Sequence, residues 1–114
     1  MMNFACRTIE LSEVIKCSLG LNKSEEKILE YLMKTPGEKS SKEIANEFSI
    51  DLSTAQRMLK NLREKKLIRR SQTNLSPGGY IYRYSIKEKE QIKNEILDNL
   101  ERFQEAVKKQ IKKL

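Results

Sequence analysis

Ser40-Ser41-Lys42-Glu43-Ile44-Ala45-Asn46-Glu47-Phe48-Ser49-Ile50-Asp51-Leu52-Ser53-Thr54-Ala55-Gln56-Arg57-Met58-Leu59-Lys60-Asn61-Leu62-Arg63-Glu64-Lys65 is the stretch on which the fold turns. Ser40 with Glu43 three positions on has the form of a capping box, in which each side chain satisfies the other residue's free amide at a helix start. Ile44, Ala45 and Phe48 then supply the apolar face of a short helix over about 41–48. Asp51 is placed to cap a second helix running to about Lys65. Its core positions Leu52, Ala55, Leu59 and Leu62 advance by three, four and three residues, the period of one helical face. Two short helices across a tight turn make a helix-turn-helix.

The buried stripe of the second helix decides what faces outward. Ser53, Thr54, Gln56, Arg57, Lys60 and Asn61 lie off the stripe, and all are polar. Arg pairs with guanine and Gln with adenine in bidentate fashion, so Arg57 and Gln56 are the candidate base readers. The charge distribution points the same way. Residues 51–83 carry eight Lys or Arg against Asp51 and Glu64, which is +6 of the chain's net +7. An ordinary exposed helix face mixes signs, and positive charge confined to one region of a small domain reads as a phosphate-binding surface.

Downstream, Leu67 and Ile68 open a strand through Arg69, Arg70, Ser71 and Gln72, and Tyr80 to Ile86 alternates as its partner. Ser76-Pro77-Gly78-Gly79 carries the turn chemistry between them. Tyr82 and Tyr84 are expected against the helices, with Arg83 on the opposite side of the strand. A helix-turn-helix followed by a β-hairpin is a winged helix, so the expected class is α+β, mainly α with a small hairpin.

Upstream, Ile9, Leu11, Val14, Ile15 and Leu19 predict a helix from about Thr8 to Ser18 closed by Gly20. Asn22 with Glu25 opens another over about 23–34, with Ile28, Leu29, Leu32 and Met33 buried, and Thr35-Pro36-Gly37 stops it. Residues 87–114 read as one long helix of roughly 40 Å. Its stripe of Ile92, Ile96, Leu100, Phe103, Val107 and Ile111 extends beyond any core of this size, so the expected cover is the same helix of a second subunit. A fold-back of this helix onto the first is the alternative. Three regions follow: an N-terminal helix supporting the dimer over 1–20, a winged helix over 21–86 and a dimerisation helix over 87–114.

At 114 residues the chain suits one core. No apolar run reaches the roughly 20 residues of a membrane span, and no signal-peptide pattern opens the chain, so the expected location is cytoplasmic and nucleoid-associated. There is no histidine, and Cys6 and Cys17 form no metal-ligand spacing, so free thiols are expected and neither metal nor cofactor. No phosphate-binding or nucleophile motif is present, and the scattered Asp and Glu fall at spacings that pair them with lysines on solvated helix faces. No catalytic residue is assigned, and an enzyme is not expected.

Two runs carry a resemblance. Leu19-Gly20-Leu21-Asn22-Lys23-Ser24-Glu25-Glu26-Lys27-Ile28-Leu29 resembles the start of the winged helix of archaeal TrmB-like regulators, and Leu52 to Ile68 is similar to the recognition helix and strand entry of TrmB-like and MarR-like proteins. The similarity covers roughly Ile9 to Ile86. Those families usually have Gly where this chain has Lys66, and the sequence holds no counterpart of the TrmB sugar-sensing domain, so sugar binding is not carried over. The resemblance implies that Ser53, Thr54, Gln56, Arg57 and Lys60 occupy the major groove and that Ser41 and Lys42 lie near the DNA backbone. It also sets the wing from Ser71 to Gly79, with Gln72, beside the minor groove, while Arg69, Arg70 and Arg83 at its base bind phosphate. The function expected is a homodimeric, sequence-specific regulator of transcription on double-stranded DNA. A dimer groove between the first and last helices could hold a small-molecule effector, which no residue names. The competing readings are an architectural DNA-coating protein, a protein–protein adaptor and an RNA-binding winged helix.

Overall fold

The computed structural model describes residues 1–114. The chain opens with a hairpin of β1 (Met2–Phe4) and β2 (Arg7–Ile9), in which Met2 faces Ile9 and Phe4 faces Arg7. This hairpin is absent from the sequence reading, because its turn at Ala5-Cys6 has no Gly, Asn or Asp to announce it. It also corrects the first helix: Thr8 and Ile9 are β-branched and extended, and α1 runs only over Leu11–Leu19.

The remaining helices are α2 (Lys23–Lys34), α3 (Ser41–Phe48), α4 (Leu52–Glu64) and α5 (Lys89–Lys112). Both capping boxes form as read. The Asn22 side chain accepts from the Glu25 amide at 2.8 Å and the Ser40 hydroxyl accepts from the Glu43 amide at 3.1 Å, each Glu returning a bond to the cap's own amide. Asp51 is the exception: it holds the N-cap backbone of α4, but its side chain makes no capping bond. Leu52 is a second correction, since it is 46% exposed instead of buried. A helical side chain leans toward the N-terminus, so in the first turn it reaches past the end of its own helix and over the α3–α4 turn.

Three helices end alike. At Gly20, Ser49 and Lys66 the backbone turns left-handed, with φ of 68°, 52° and 63°. The next amides reach back to Lys16, Ala45 and Leu62, which satisfies carbonyls left free at each helix end. Lys66 therefore ends α4 sharply while carrying a Cβ where the conformation favours glycine, at a cost of about 1 kcal/mol. Lys66→Gly is expected to raise the melting temperature by roughly 4 °C in calorimetry without changing the fold.

Three antiparallel strands form the wing sheet in the order β3 (Lys39–Ser40), β5 (Tyr80–Ile86), β4 (Ile68–Asn74). The register pairs Ile68 with Ile86, Arg70 with Tyr84 and Gln72 with Tyr82 on one face. Tyr84 is buried and marks that face as the one toward the helices. Arg69, Ser71, Arg83 and Ser85 consequently take the other face, as alternation along a strand requires.

The core is one cluster in which Ile28, Leu29, Ile44, Leu59, Leu62 and Leu67 are fully enclosed. α5 contributes Ile92 to it, and Ile96 packs on its edge. The first turns of α5 lie along α1, where the Asn99 side chain donates to the Ser18 carbonyl at 2.7 Å. Beyond Asn99 the helix projects into solvent, giving a molecule 67 Å long and about 24 Å across.

Candidate nucleic-acid interface

Ala55, Leu59 and Leu62 of α4 are wholly buried against α2 and α3, which fixes the rotation of this helix. The opposite face presents Ser53, Gln56, Arg57 and Lys60 to solvent, with Thr54 half-buried at its edge. Lys42 is exposed and Ser41 half-buried in the first turn of α3, beside the Ser40 cap.

Asn61, read from the sequence as part of this face, belongs elsewhere. Its amide donates to Glu25 Oε2 at 3.0 Å, and Glu25 Oε1 meanwhile caps α2, so Asn61 ties α4 to α2. Arg83 is likewise engaged within the fold. It sits half-buried with Nη1 3.4 Å from Glu43 Oε1, where the Ser40 amide hydrogen bond, with Arg83 adding to it, holds the Glu43 carboxyl below the usual carboxylate range. Of the eight cations between Asp51 and Arg83, Arg83 alone lies within 4.0 Å of a carboxylate. The other seven have no carboxylate within that distance.

The wing divides its two arginines. Arg70 lies on the helix-side face with its guanidinium 3.8 Å from the centre of the Tyr82 ring, and Tyr80 meets Tyr82 edge-on. A guanidinium stacked on an aromatic ring is held in place with its edge donors still free for phosphate. Tyr84 is in the core and Tyr82 packs against it, as their place on the strand predicts, and Tyr82 supports Arg70 as well. Gln72 is exposed next along the same strand, its amide 3.3 Å from Asn74 Oδ1. Arg69 lies on the reverse face, where Nε donates to Ser85 Oγ at 3.4 Å. Lys65 turns away from this surface: its ammonium lies close to Gly20, at the negative end of α1.

No helix is long and apolar enough to cross a membrane, and no group of three or more Cys, Asp or Glu side chains comes together as a metal site. Cys6 and Cys17 are exposed free thiols.

Residues 9–109 match the model of the DnaD N-terminal domain. The chain belongs to the DnaD N-terminal domain family. A possible transcriptional regulator from Methanosarcina mazei Go1 superposes with a TM-score of 0.85 at 33% identity, covering 99% of this chain and 95% of that one. The ST1889 protein from Sulfolobus tokodaii gives a TM-score of 0.70 at 26% identity, over 83% of this chain and 92% of that one. MJ1503, an uncharacterized protein of Methanocaldococcus jannaschii, is 29% identical over 114 residues, all of this chain and 86% of its own. The TrmB-like and MarR-like resemblance is thus met at the level of the winged-helix fold, and the family shown is the DnaD one.

Proposed function

We propose that this DnaD-family domain is a homodimeric regulator of transcription that binds specific sequences in duplex DNA and catalyses nothing. The observation that carries the reading is the outward face of α4. Ser53, Gln56, Arg57 and Lys60 stand exposed on a helix whose inner face is locked by Ala55, Leu59 and Leu62, and no acid neutralises its cations. A helix of this width enters the major groove, where Arg and Gln distinguish base edges. Arg70, braced by Tyr82, follows the backbone beside it. The Methanosarcina mazei relative, itself a possible transcriptional regulator, supports the assignment. A cytoplasmic, nucleoid-bound location goes with it.

In a two-fold dimer the two α4 helices meet half-sites one helical turn of DNA apart, or a multiple of that. Selection of bound duplexes from a random pool should therefore return a palindrome with such spacing. An unenriched pool would favour an architectural coating protein instead. Arg57→Ala is expected to relax preference at one base pair of each half-site, worth about 1–3 kcal/mol of discrimination. Arg70→Ala should weaken all sequences alike. Measured on the selected site and its point variants, equal effects of the two substitutions would overturn this division of roles.

A further inference from the structure

A second basic surface lies behind the wing, away from the outward face of α4. A cleft of about 790 Å³ opens between the outer face of the wing sheet, the loop after α2 and the start of α5. Lys34, Arg69, Lys87 and Lys89 line it, and Glu38 is the one carboxylate among the lining residues. That carboxylate is occupied, because the Ser71 hydroxyl donates to it. Lys34 is 3.7 Å from Glu30, but its side chain is 77% exposed, and so open a pair holds it weakly. Arg69 spends one donor on Ser85 and keeps the rest of its guanidinium free.

Four cations converging on a concave surface attract an anion of several charges. The geometry points to this cleft as a binding site for consecutive phosphate groups. No aromatic ring lines it and only three of its thirteen lining residues are hydrophobic, so a nucleobase would find no surface to stack on. The ligand is therefore a phosphate chain. Such a chain has two sources: the backbone of duplex DNA continuing past the wing, or a free oligophosphate. Adjacent residues of one strand, Arg70 toward the helices and Arg69 toward the cleft, would let the wing hold phosphates on both of its sides. The DNA source rests on the function proposed above, whereas the cleft itself does not.

The test uses the full chain and a K34A/K87A/K89A variant, whose three altered side chains are all exposed and leave the α4 face and Arg70 untouched. Titration with inorganic tripolyphosphate, followed by amide NMR, is expected to shift Thr35, Gly37, Glu38 and Ser85 in the parent. The variant should bind at least about tenfold more weakly, with its other resonances unmoved. Duplexes of two lengths then separate the sources. Loss of about tenfold in affinity on a long duplex and none on a duplex confined to the selected site identifies flanking DNA. Unchanged affinity on both identifies a free oligophosphate. If tripolyphosphate leaves those parent amides unmoved, the inference is overturned. A parent that binds tripolyphosphate but neither duplex retires the regulator reading and leaves the cleft.

Discussion

L100D/F103D is expected to sediment as a monomer at concentrations where the parent sediments as a dimer, with dimer affinity reduced at least about 10³-fold, or about 4 kcal/mol. The reason lies in how α5 is divided. Ile92 is only 2% exposed and belongs to the chain's own core, and Ile96 packs against that core, so neither is free to meet a partner as the sequence reading had them. Past Asn99 the picture reverses. Leu100 is 38% and Phe103 67% exposed, and Val107 and Ile111 follow on the same helix, with Leu114 just past its end, all exposed. Burial of each such side chain is worth about 1.5–3 kcal/mol, and contiguous apolar surface of this extent marks an association site. The groove between β2, α1 and α5, lined by Ile9, Val14, Leu100 and Phe103, continues the patch onto the body of the molecule. Aspartate at both positions removes apolar area and places charge in a symmetric interface twice over. Because both side chains are already exposed in the single chain, the substitutions should leave its helical content and core intact. A parent that is monomeric at high concentration contradicts the dimer.

The second large effect is on stability. Glu26 is 3% exposed on α2, and its Oε2 has no hydrogen-bond partner. Burial, first, and the neighbouring Glu30, second, push its carboxyl up to about 7, while Lys34 and Lys27 oppose the rise. A carboxyl whose pKa is raised by folding favours the protonated form in the native state. Its contribution is complete below the ordinary value near 4.5 and is lost as pH rises through 7. A shift of that size corresponds to about 3 kcal/mol. Glu26→Gln carries no charge to bury. It should be flat in stability between pH 5 and 8, where the parent falls, and at pH 8 it should melt roughly 10 °C higher. Parallel pH profiles for the two proteins in denaturant unfolding would remove Glu26 as the cause.

What the sequence disclosed and what it withheld divide along the range of the interactions. Asn22 with Glu25, and Ser40 with Glu43, meet over three residues, and the stripe of Ala55, Leu59 and Leu62 repeats within one helix, so local pattern was enough to place α2, α3, α4 and the wing. The contacts of Asn61 and Arg83 are not legible locally, because Glu25 lies 36 positions from Asn61 and Glu43 lies 40 from Arg83. Nothing local distinguishes a polar residue that reaches inward to a distant carboxylate from one that faces water. The same holds for Glu26, which falls among the acids expected on solvated faces and is buried. The short strand β3 exists only because Lys39 and Ser40 lie against Tyr84 and Arg83. Splitting the basic stretch into the α4 face, Arg70 on one side of the wing and Arg69 on the other likewise required the register of β4 against β5.

The central claim is that the charge left unpaired between Asp51 and Arg83 exists to hold duplex DNA. It is tested most directly by measuring affinity for a duplex of the selected sequence as salt is raised. Each phosphate contact releases counterions, and a protein making 6–10 such contacts loses about 10³–10⁵ in affinity between 50 and 200 mM salt. Arg57 and Lys60 of α4 and Arg70 of the wing give three such cations per protomer and six in the proposed dimer, so a decline at the lower end of that range is the expected result. An affinity that stays flat across the same range, or binding too weak to detect at 50 mM, would contradict it.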